Sequence, residues 1–548
     1  MTNCKNCKKE FISSQEDLKF YSKLHVSPPT FCPSCRQQRR LAWRNERTLY
    51  SRGCDLCHKH LISIYPGKVP FPVYCNDCWW SDKCDPLQYE QKFDPDRSFF
   101  EQFKELQNKV PRLSIYLKKA DNSDYCNHSE NLKNSYMSVD TADSENIYYS
   151  KWIINKCKDL VDCYNMEKAE LCYESLYSVG SYNCVYAFLC DNSRDSSFIY
   201  DCVGCSNCFM SHNLRHKQYC IENKQYSKEE YEKIISEIDL GSYETFQKYY
   251  QKYLELFYHK AVKKFQNILF SQDCSGDFIY HCKNVKDSYD VIESEDCSYC
   301  YESGYLKDCH DTYEAGFACE LQYDSHACNR GSRVIAGHVS YDVDSVMYVD
   351  SCHNSSDLFG CIGLKRKQYC ILNHQYSKEE YNKIVPTIIK SMHDRGEWGE
   401  FFPIELSIFA YNESLAQEFF PLTKEQAQAK GYRWKDKDKI EYKKATIELL
   451  DNINEISEKI VSETLACKNC EKNYRLTTEE LRFYKKMNIA IPRFCSFCRH
   501  ITRMSLRNPH QLLPAKCQKC ETKILTPYNS EKSEIVYCEE CYLETAHS

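Results

Sequence analysis

Sixteen cysteines of this chain fall into eight Cys-x-x-Cys pairs, four pairs at each end. Cys4, Cys7, Cys32, Cys35, Cys54, Cys57, Cys75 and Cys78 recur as Cys467, Cys470, Cys495, Cys498, Cys517, Cys520, Cys538 and Cys541, each displaced by 463 residues. A Cys-x-x-Cys turn brings two thiolates to one tetrahedral ion, and two such turns complete a Cys4 shell for Zn2+. The spacing therefore predicts four structural zinc sites with no open coordination position. Sequential pairing joins Cys4, Cys7, Cys32 and Cys35 on one ion and Cys54, Cys57, Cys75 and Cys78 on the next. Interleaved pairing, first turn with third and second with fourth, fits the same spacing. Redox pairs come singly on a thioredoxin-like pattern, which is absent. The start, Met1-Thr2-Asn3-Cys4, shows no charged-then-apolar leader. Reduced thiols in the cytoplasm are therefore expected, with disulfides as the rival reading.

The elements that must position these turns can be read beside them. Ser14 with Asp17, and Thr477 with Glu480, have capping-box spacing and open a short helix between the first two turns of each set. Leu18, Phe20 and Tyr21 match Leu481, Phe483 and Tyr484 on it. A second helical segment follows Cys35 and Cys498. There Arg36, Arg40 and Arg44 recur as Arg499, Arg503 and Arg507, and a spacing of four puts all three on one helix face. Guanidinium groups make forked bonds to phosphate, so these six arginines are candidate nucleic-acid contacts. Pairing with carboxylates elsewhere in the chain is an equal alternative.

The N-terminal run Cys4-Lys-Asn-Cys7, Phe11, Phe20-Tyr21, Pro29, Phe31-Cys32-Pro33-Ser34-Cys35-Arg36 and Arg39-Arg40 resembles the bacterial "probable zinc-ribbon" domain. The wider layout, with Leu41-Ala42-Trp43-Arg44-Asn45-Glu46-Arg47, Trp79-Trp80, Tyr226-Ser227-Lys228-Glu229-Glu230-Tyr231 and Lys430-Gly431-Tyr432-Arg433-Trp434, resembles uncharacterised proteins of candidate-phylum bacteria. The resemblance implies zinc binding at the ends and carries no activity.

Charge is unevenly spread. Of 72 Lys/Arg and 78 Asp/Glu, residues 1–83 hold 14 and 7, and residues 467–548 hold 14 and 9. That leaves 44 against 62 in the middle. Basic ends and an acidic centre suit a nucleic-acid partner for the ends or, with the centre as a DNA mimic, a basic protein partner for the centre. No apolar run is long enough to cross a membrane. No Walker loop, dinucleotide fingerprint, nucleophile elbow or His-Glu-x-x-His occurs. Glycine is scarce at 15 residues, against 37 Cys and 44 Tyr.

The middle repeats internally. Arg215–Ile221 returns as Lys365–Ile371 and Tyr226–Tyr231 as Tyr376–Tyr381, both at an offset of 150, whereas Cys172–Ser175 returns as Cys300–Ser303 at 128. Short phrases such as Asn134-Ser135-Tyr136, Asp162-Cys163-Tyr164, Asn207-Cys208-Phe209 and Asp287-Ser288-Tyr289 recur about every dozen residues. Two phrases make about 22 residues, the length of one coil in many parallel β-solenoids. Cysteine inside such a coil acts as a small apolar residue. Extra metal at Cys202, Cys205 and Cys208, or at Cys297 and Cys300, is the sharper alternative. Helices are expected at 96–109 and 243–266, and after the capping boxes at Ser227, Ser377 and Thr423. His281, His310, His326, His338 and His353 lie among carboxylates and could serve a groove enzyme.

The reading that unites these features is an α+β chain, a Cys/Tyr-rich parallel β-solenoid in two duplicated halves with helical insertions and double zinc-ribbon or treble-clef modules at both ends. Its segments are 1–83 (zinc module), 84–119 (helical linker), 120–226 (first half), 227–270 (helical connector), 271–376 (second half), 377–466 (helices and linker) and 467–548 (zinc module). The expected function is a non-enzymatic zinc scaffold that binds nucleic acid through the basic helices. The alternatives are a protein-docking acidic solenoid and a groove enzyme. No catalytic residue and no small-molecule substrate is assigned.

Overall fold

The computed structural model describes residues 1–436, 441–529 and 533–546. Residues 437–440, 530–532 and 547–548, within the expected segments 377–466 and 467–548, lie outside the described residues. The chain forms two compact units, each assembled from separated segments. One contains Met1–Ile115, Gln266–Asp436 and His510–Leu512; the other contains Tyr116–Phe265, Lys437–Pro509 and Leu513–Ser548. Each unit thus joins one terminal module to one repeat half. Among the described residues no helix is long and apolar enough to cross a membrane.

Both halves are parallel ladders in which a residue pairs with the one twelve positions on. Lys158 pairs with Glu170, Tyr182 with Arg194 and Ser206 with Gln218 in the first half. Gly276 pairs with Ser288, and Ser356 with Gln368, in the second. In the first half, seven strands run β1 (Val139–Tyr148), β2 (Lys151–Ile154), β3 (Lys158–Val161), β4 (Tyr164–Glu167), β5 (Glu170–Tyr173), β6 (Leu176–Val179) and β7 (Tyr182–Phe188). The long strands β1 and β7 each serve two columns, β2–β4–β6 and β3–β5, so the order β5–β3–β1–β2–β4–β6–β7 closes through the pair β5–β7 into a seven-stranded barrel. The expected 22-residue solenoid coil is corrected accordingly. The ladder advances by twelve residues, one phrase rather than two, and closes on itself.

The reason is a period of three. From Cys157 to Ser211 every third residue is at most 1% exposed. The residue before each of them has positive φ, from Lys156 (66°) and Asp159 (52°) to Asn207 (51°) and Met210 (53°). Asn and Asp tolerate this left-handed region better than other side chains with a Cβ. The recurring phrase is therefore a left-handed corner, an inward small residue and an outward aromatic. Inward Ser and Cys also tie the rungs together. The Ser193 hydroxyl donates to the Cys202 carbonyl at 2.8 Å and accepts the Cys205 N–H at 3.4 Å, while the Cys163 thiol donates to the carbonyls of Val161 and Cys172 at 3.4 Å each.

The repeat cysteines are accordingly free and buried, except Cys274, which is half-buried. Cys202, Cys205 and Cys208 fall on successive sides of the ladder. Neither they nor Cys297 and Cys300 form a three-ligand cluster among the described residues, so the extra-metal reading is corrected to thiol packing.

Helices seal the outer aromatics. In one unit Phe99–Gln107 sets Phe99 against Tyr348 and Phe359, and Lys378–Asp394 buries Val385, Ile388 and Met392 in the same core. In the other, Tyr243–His259 stacks Phe257 on Phe188 with centroids 5.5 Å apart. Capping boxes at Ser14, Ser227, Ser377, Thr423 and Thr477 open the helices expected there. Denaturant unfolding tests the left-handed corners. Asn207→Val should cost about 1–2 kcal/mol, whereas Asn207→Gly should leave stability within a few tenths.

Candidate metal centres

Each set of four cysteines closes around one point. Within Cys4/Cys7/Cys32/Cys35, Cys54/Cys57/Cys75/Cys78, Cys467/Cys470/Cys495/Cys498 and Cys517/Cys520/Cys538/Cys541, all sulfurs lie within 4.8 Å of one another, so pairing is sequential. The distances Cys7–Cys32 (3.7 Å), Cys57–Cys75 (3.8 Å), Cys470–Cys495 (3.7 Å) and Cys520–Cys538 (3.6 Å) match the edge of roughly 3.8 Å that a tetrahedron with Zn–S of about 2.3 Å requires. A disulfide would bring sulfurs to about 2.05 Å.

Local sequence builds the same frame four times. The first pair sits on a tight turn whose next residue is left-handed: Lys8, His58, Glu471 and Glu521, with φ between 60° and 64°. That turn folds back so that Cys4 N–H reaches Lys9 O and Cys54 N–H reaches Lys59 O, each at 2.9 Å. The third cysteine is the N-cap of a helix at Cys32, Cys75 and Cys495. A helix start also carries the fourth cysteine, where the N-terminal dipole favours thiolate. In each centre one sulfur is already acidic. The Cys35 thiol's hydrogen bond is the main influence drawing Cys32 down to about 5. At Cys54, burial is outweighed by the N–H groups of Cys57, Cys75 and Leu56, which bring it to about 7. Cys467 and Cys517 fall to about 6, where burial is likewise outweighed by backbone N–H donors. Burial and neighbouring sulfur push Cys495 up to about 12. Four thiolates in one shell need a divalent cation, and Zn2+ meets every feature of the donor set. With four protein ligands the sites are structural.

The arginine helices hold these centres to the ladders. Arg36 donates from Nε to Asp311 at 2.8 Å and from Nη1 to Phe31 O at 2.7 Å. Arg39 bridges Asp324 (2.5 Å) and Glu400 (2.9 Å), and Arg40 meets Asp324 and, at 3.4 Å, Asp311. Arg44, beyond the helix end at Leu41, pairs with Glu46 at 3.0 Å and with Glu314. The second unit repeats this. Arg499 binds Asp162 at 2.7 Å and Phe494 O at 2.9 Å, Arg503 binds Glu174 at 2.7 Å, and Arg507 donates to the Tyr164 hydroxyl at 2.5 Å.

Arg36, Arg40, Arg44, Arg499 and Arg503 are buried, and Arg507 is half-buried. The candidate nucleic-acid contacts are thus corrected. The guanidinium groups of Arg36, Arg40, Arg44, Arg499 and Arg503 are committed to carboxylates inside each unit, and that of Arg507 to the Tyr164 hydroxyl. Asp162, Glu174, Asp311 and Asp324 all occupy left-handed corners. They could have been found by noticing that each precedes an inward residue of the three-residue period. The Asp162 and Asp311 pockets are 149 residues apart, so the 128-residue match of Cys172–Ser175 relates different sides of the ladder.

Of the five histidines, His326 and His338 meet, with ring centres 5.2 Å apart. His310 stacks on Phe20 at 3.7 Å, and His338 bonds Asp350 at 2.8 Å and Trp43 O at 3.1 Å. His326 and His353 are buried, and His281 is exposed.

A family described as "Probable treble clef domain" matches residues 1–43. This agrees with the turn, the hairpin Thr2–Asn3 with Glu10–Phe11, and the helix entered at Cys32. The zinc-ribbon resemblance is corrected to that class. No curated protein matches the chain.

Elemental assay of freshly purified protein should give four zinc per chain. Cys32→Ser with Cys35→Ser should give three and leave the other centres loaded. Fewer than four in the parent, with no loss in the variant, would contradict the assignment.

One difference between the units is titratable. The strand Val73–Tyr74 pairs with Arg112–Leu113 as Ile535–Tyr537 pairs with Val262–Lys264, which makes Lys263 the counterpart of Arg112. Arg112 reaches Asp350 at 2.7 Å. Tyr200 stands at the counterpart of Asp350, and its neighbour Asp201 takes Arg215 at 2.8 Å and the Tyr542 hydroxyl at 2.5 Å. Lys263 is fully buried, its Nζ makes no hydrogen bond, and it sits 3.4 Å from the ring centres of Tyr200 and Phe257. Burial drives its amine well below the ordinary lysine range, against the pull of Glu534 and Asp201. With the folded amine titrating below the unfolded one, stability rises with pH toward about 10.4. Lys263→Met should raise stability at pH 7 by on the order of 1–3 kcal/mol and flatten that rise, read by thermal unfolding between pH 7 and 10.

Proposed function

We propose that this chain is a non-enzymatic zinc scaffold that presents acidic ladder surfaces to a basic protein partner. The twelve-residue register with a left-handed corner every third residue supports reading each half as a four-sided coil, a rigid support whose outer corners are spaced at one strand separation. The zinc centres serve this support by fixing the arginine helices onto it.

One observation carries the reading. The basic helices that could have met nucleic acid are buried with their guanidinium groups on Asp162, Glu174, Asp311 and Asp324. What remains for partners is the outer surface of the middle segment, whose sequence, buried pairs included, carries 62 carboxylates against 44 basic residues. Such a surface steers basic partners and repels phosphate. Repulsion of phosphate also speaks against the nucleic-acid reading, and the burial of His310, His326, His338 and His353 speaks against a groove enzyme.

Fluorescence anisotropy with zinc-loaded full chain tests this. Duplex DNA and single-stranded RNA should show no binding at 50–150 mM salt, while immobilised chain should retain a basic protein that elutes as salt rises. Nucleic-acid binding that weakens steeply with salt would overturn the reading.

A further inference from the structure

The ladder already recognises arginine in one repeated way. On a single corner column an aromatic ring is followed one rung later by a carboxylate, and a guanidinium fits both. Arg36 lies over the Tyr299 ring at 5.2 Å and bonds Asp311; Arg499 lies over the Tyr149 ring at 5.0 Å and bonds Asp162. Tyr299, Asp311, Tyr149 and Asp162 are all left-handed corner residues.

A second corner column of the same ladder has this composition and faces solvent. Phe270, His281, Glu293, Tyr305 and Phe317 follow one another at eleven or twelve residues, all with positive φ and all exposed, Phe270 at 79% and Phe317 at 58%. Phe270 stacks on His281 with centroids 5.0 Å apart, and Tyr305 on Phe317 at 5.6 Å. Each stack therefore turns its remaining side toward the rung of Glu293. His281 and Tyr305 are two rungs apart, roughly 9–10 Å. A flat cation midway between them lies about 4.5–5 Å from each ring, inside cation–π reach. Glu293 is exposed and makes no ion pair among the described residues. His281, Glu293 and Tyr305 line an open groove of about 780 Å³ with Glu295 and Glu320. Lys283 and Lys307 stand along it too, the first held by Glu295 at 3.2 Å.

We infer that the column His281–Glu293–Tyr305 receives an arginine side chain of a basic protein partner. The ring faces take the flat guanidinium and Glu293 takes its forked N–H groups, the chemistry the chain uses internally at Tyr299 with Asp311 and Tyr149 with Asp162. A lysine ammonium, a point charge without a plane, satisfies only the carboxylate. The inference rests on the ladder being a docking surface for basic proteins and names the residue type it selects.

The test uses zinc-loaded full chain with fluorescein-labelled hexa-arginine and hexa-lysine peptides, followed by anisotropy at fixed salt. Hexa-arginine should bind about tenfold more tightly than hexa-lysine. Glu293→Gln, and separately Tyr305→Ala, should remove that preference. Glu16→Gln on the zinc module serves as a charge control and should not. Unchanged zinc content and melting temperature establish that each variant is folded. Equal binding of the two peptides, or a preference that survives Glu293→Gln, overturns the arginine slot while leaving a generally acidic docking surface. Binding of neither peptide overturns both.

Discussion

The contact on which each unit depends is the buried pairing of arginines on a zinc-held helix with carboxylates at ladder corners. Taking such charges out of water is expensive, and removing one partner of a buried pair typically costs about 3–5 kcal/mol. Here the expense is limited by geometry. Arg36 and Arg499 each use Nη1 on the carbonyl that precedes the third zinc ligand, Phe31 O or Phe494 O. The same side chain that meets the ladder thus also clasps the metal loop. Loss of zinc would release the helix start, and with it the direction of the guanidinium.

The ladder in turn can offer those carboxylates only because its corners are left-handed. A left-handed residue every third position turns the chain sharply around a narrow interior, which Cys, Ser, Ala and Val fill together with single Ile, Leu and Met side chains. The polar atoms of Ser and Cys are used on rung carbonyls and N–H groups, so the narrow interior holds few orphan donors. The scarcity of glycine follows the same logic. Asn and Asp take many of the corners and gain a ladder of their own, as in Asn183 with Asp195 at 2.8 Å and Asn284 with Asp296 at 2.8 Å.

Much of this was legible in the sequence, but unevenly. The 463-residue displacement of eight cysteines specified the zinc sets, and sequential pairing only needed the sulfurs to be seen together. Capping boxes gave the helix starts because they are local, satisfied within four residues. The ladder period was hidden because its signal is distributed over three positions of different chemistry. Asn, Asp, Tyr and Leu all serve as corners, and Cys, Ser, Ile and Ala all serve inside, so only occasional phrases such as Asp162-Cys163-Tyr164 stand out. The destination of the arginines was not legible at all. Arg36 and Asp311 are 275 residues apart, and a basic stripe reads the same whether its partner is phosphate or a carboxylate from another part of the chain.

Hydrogen exchange on the Cys32→Ser/Cys35→Ser protein measures the coupling between metal and ladder most directly. If the zinc-held arginines fix the ladder, amides of the rungs from Tyr299 to Tyr323 lose protection together with the helix Pro33–Leu41, while the other unit keeps its own. Rungs that remain as protected as in the parent chain, with only the zinc module exchanging, would contradict a shared structural unit.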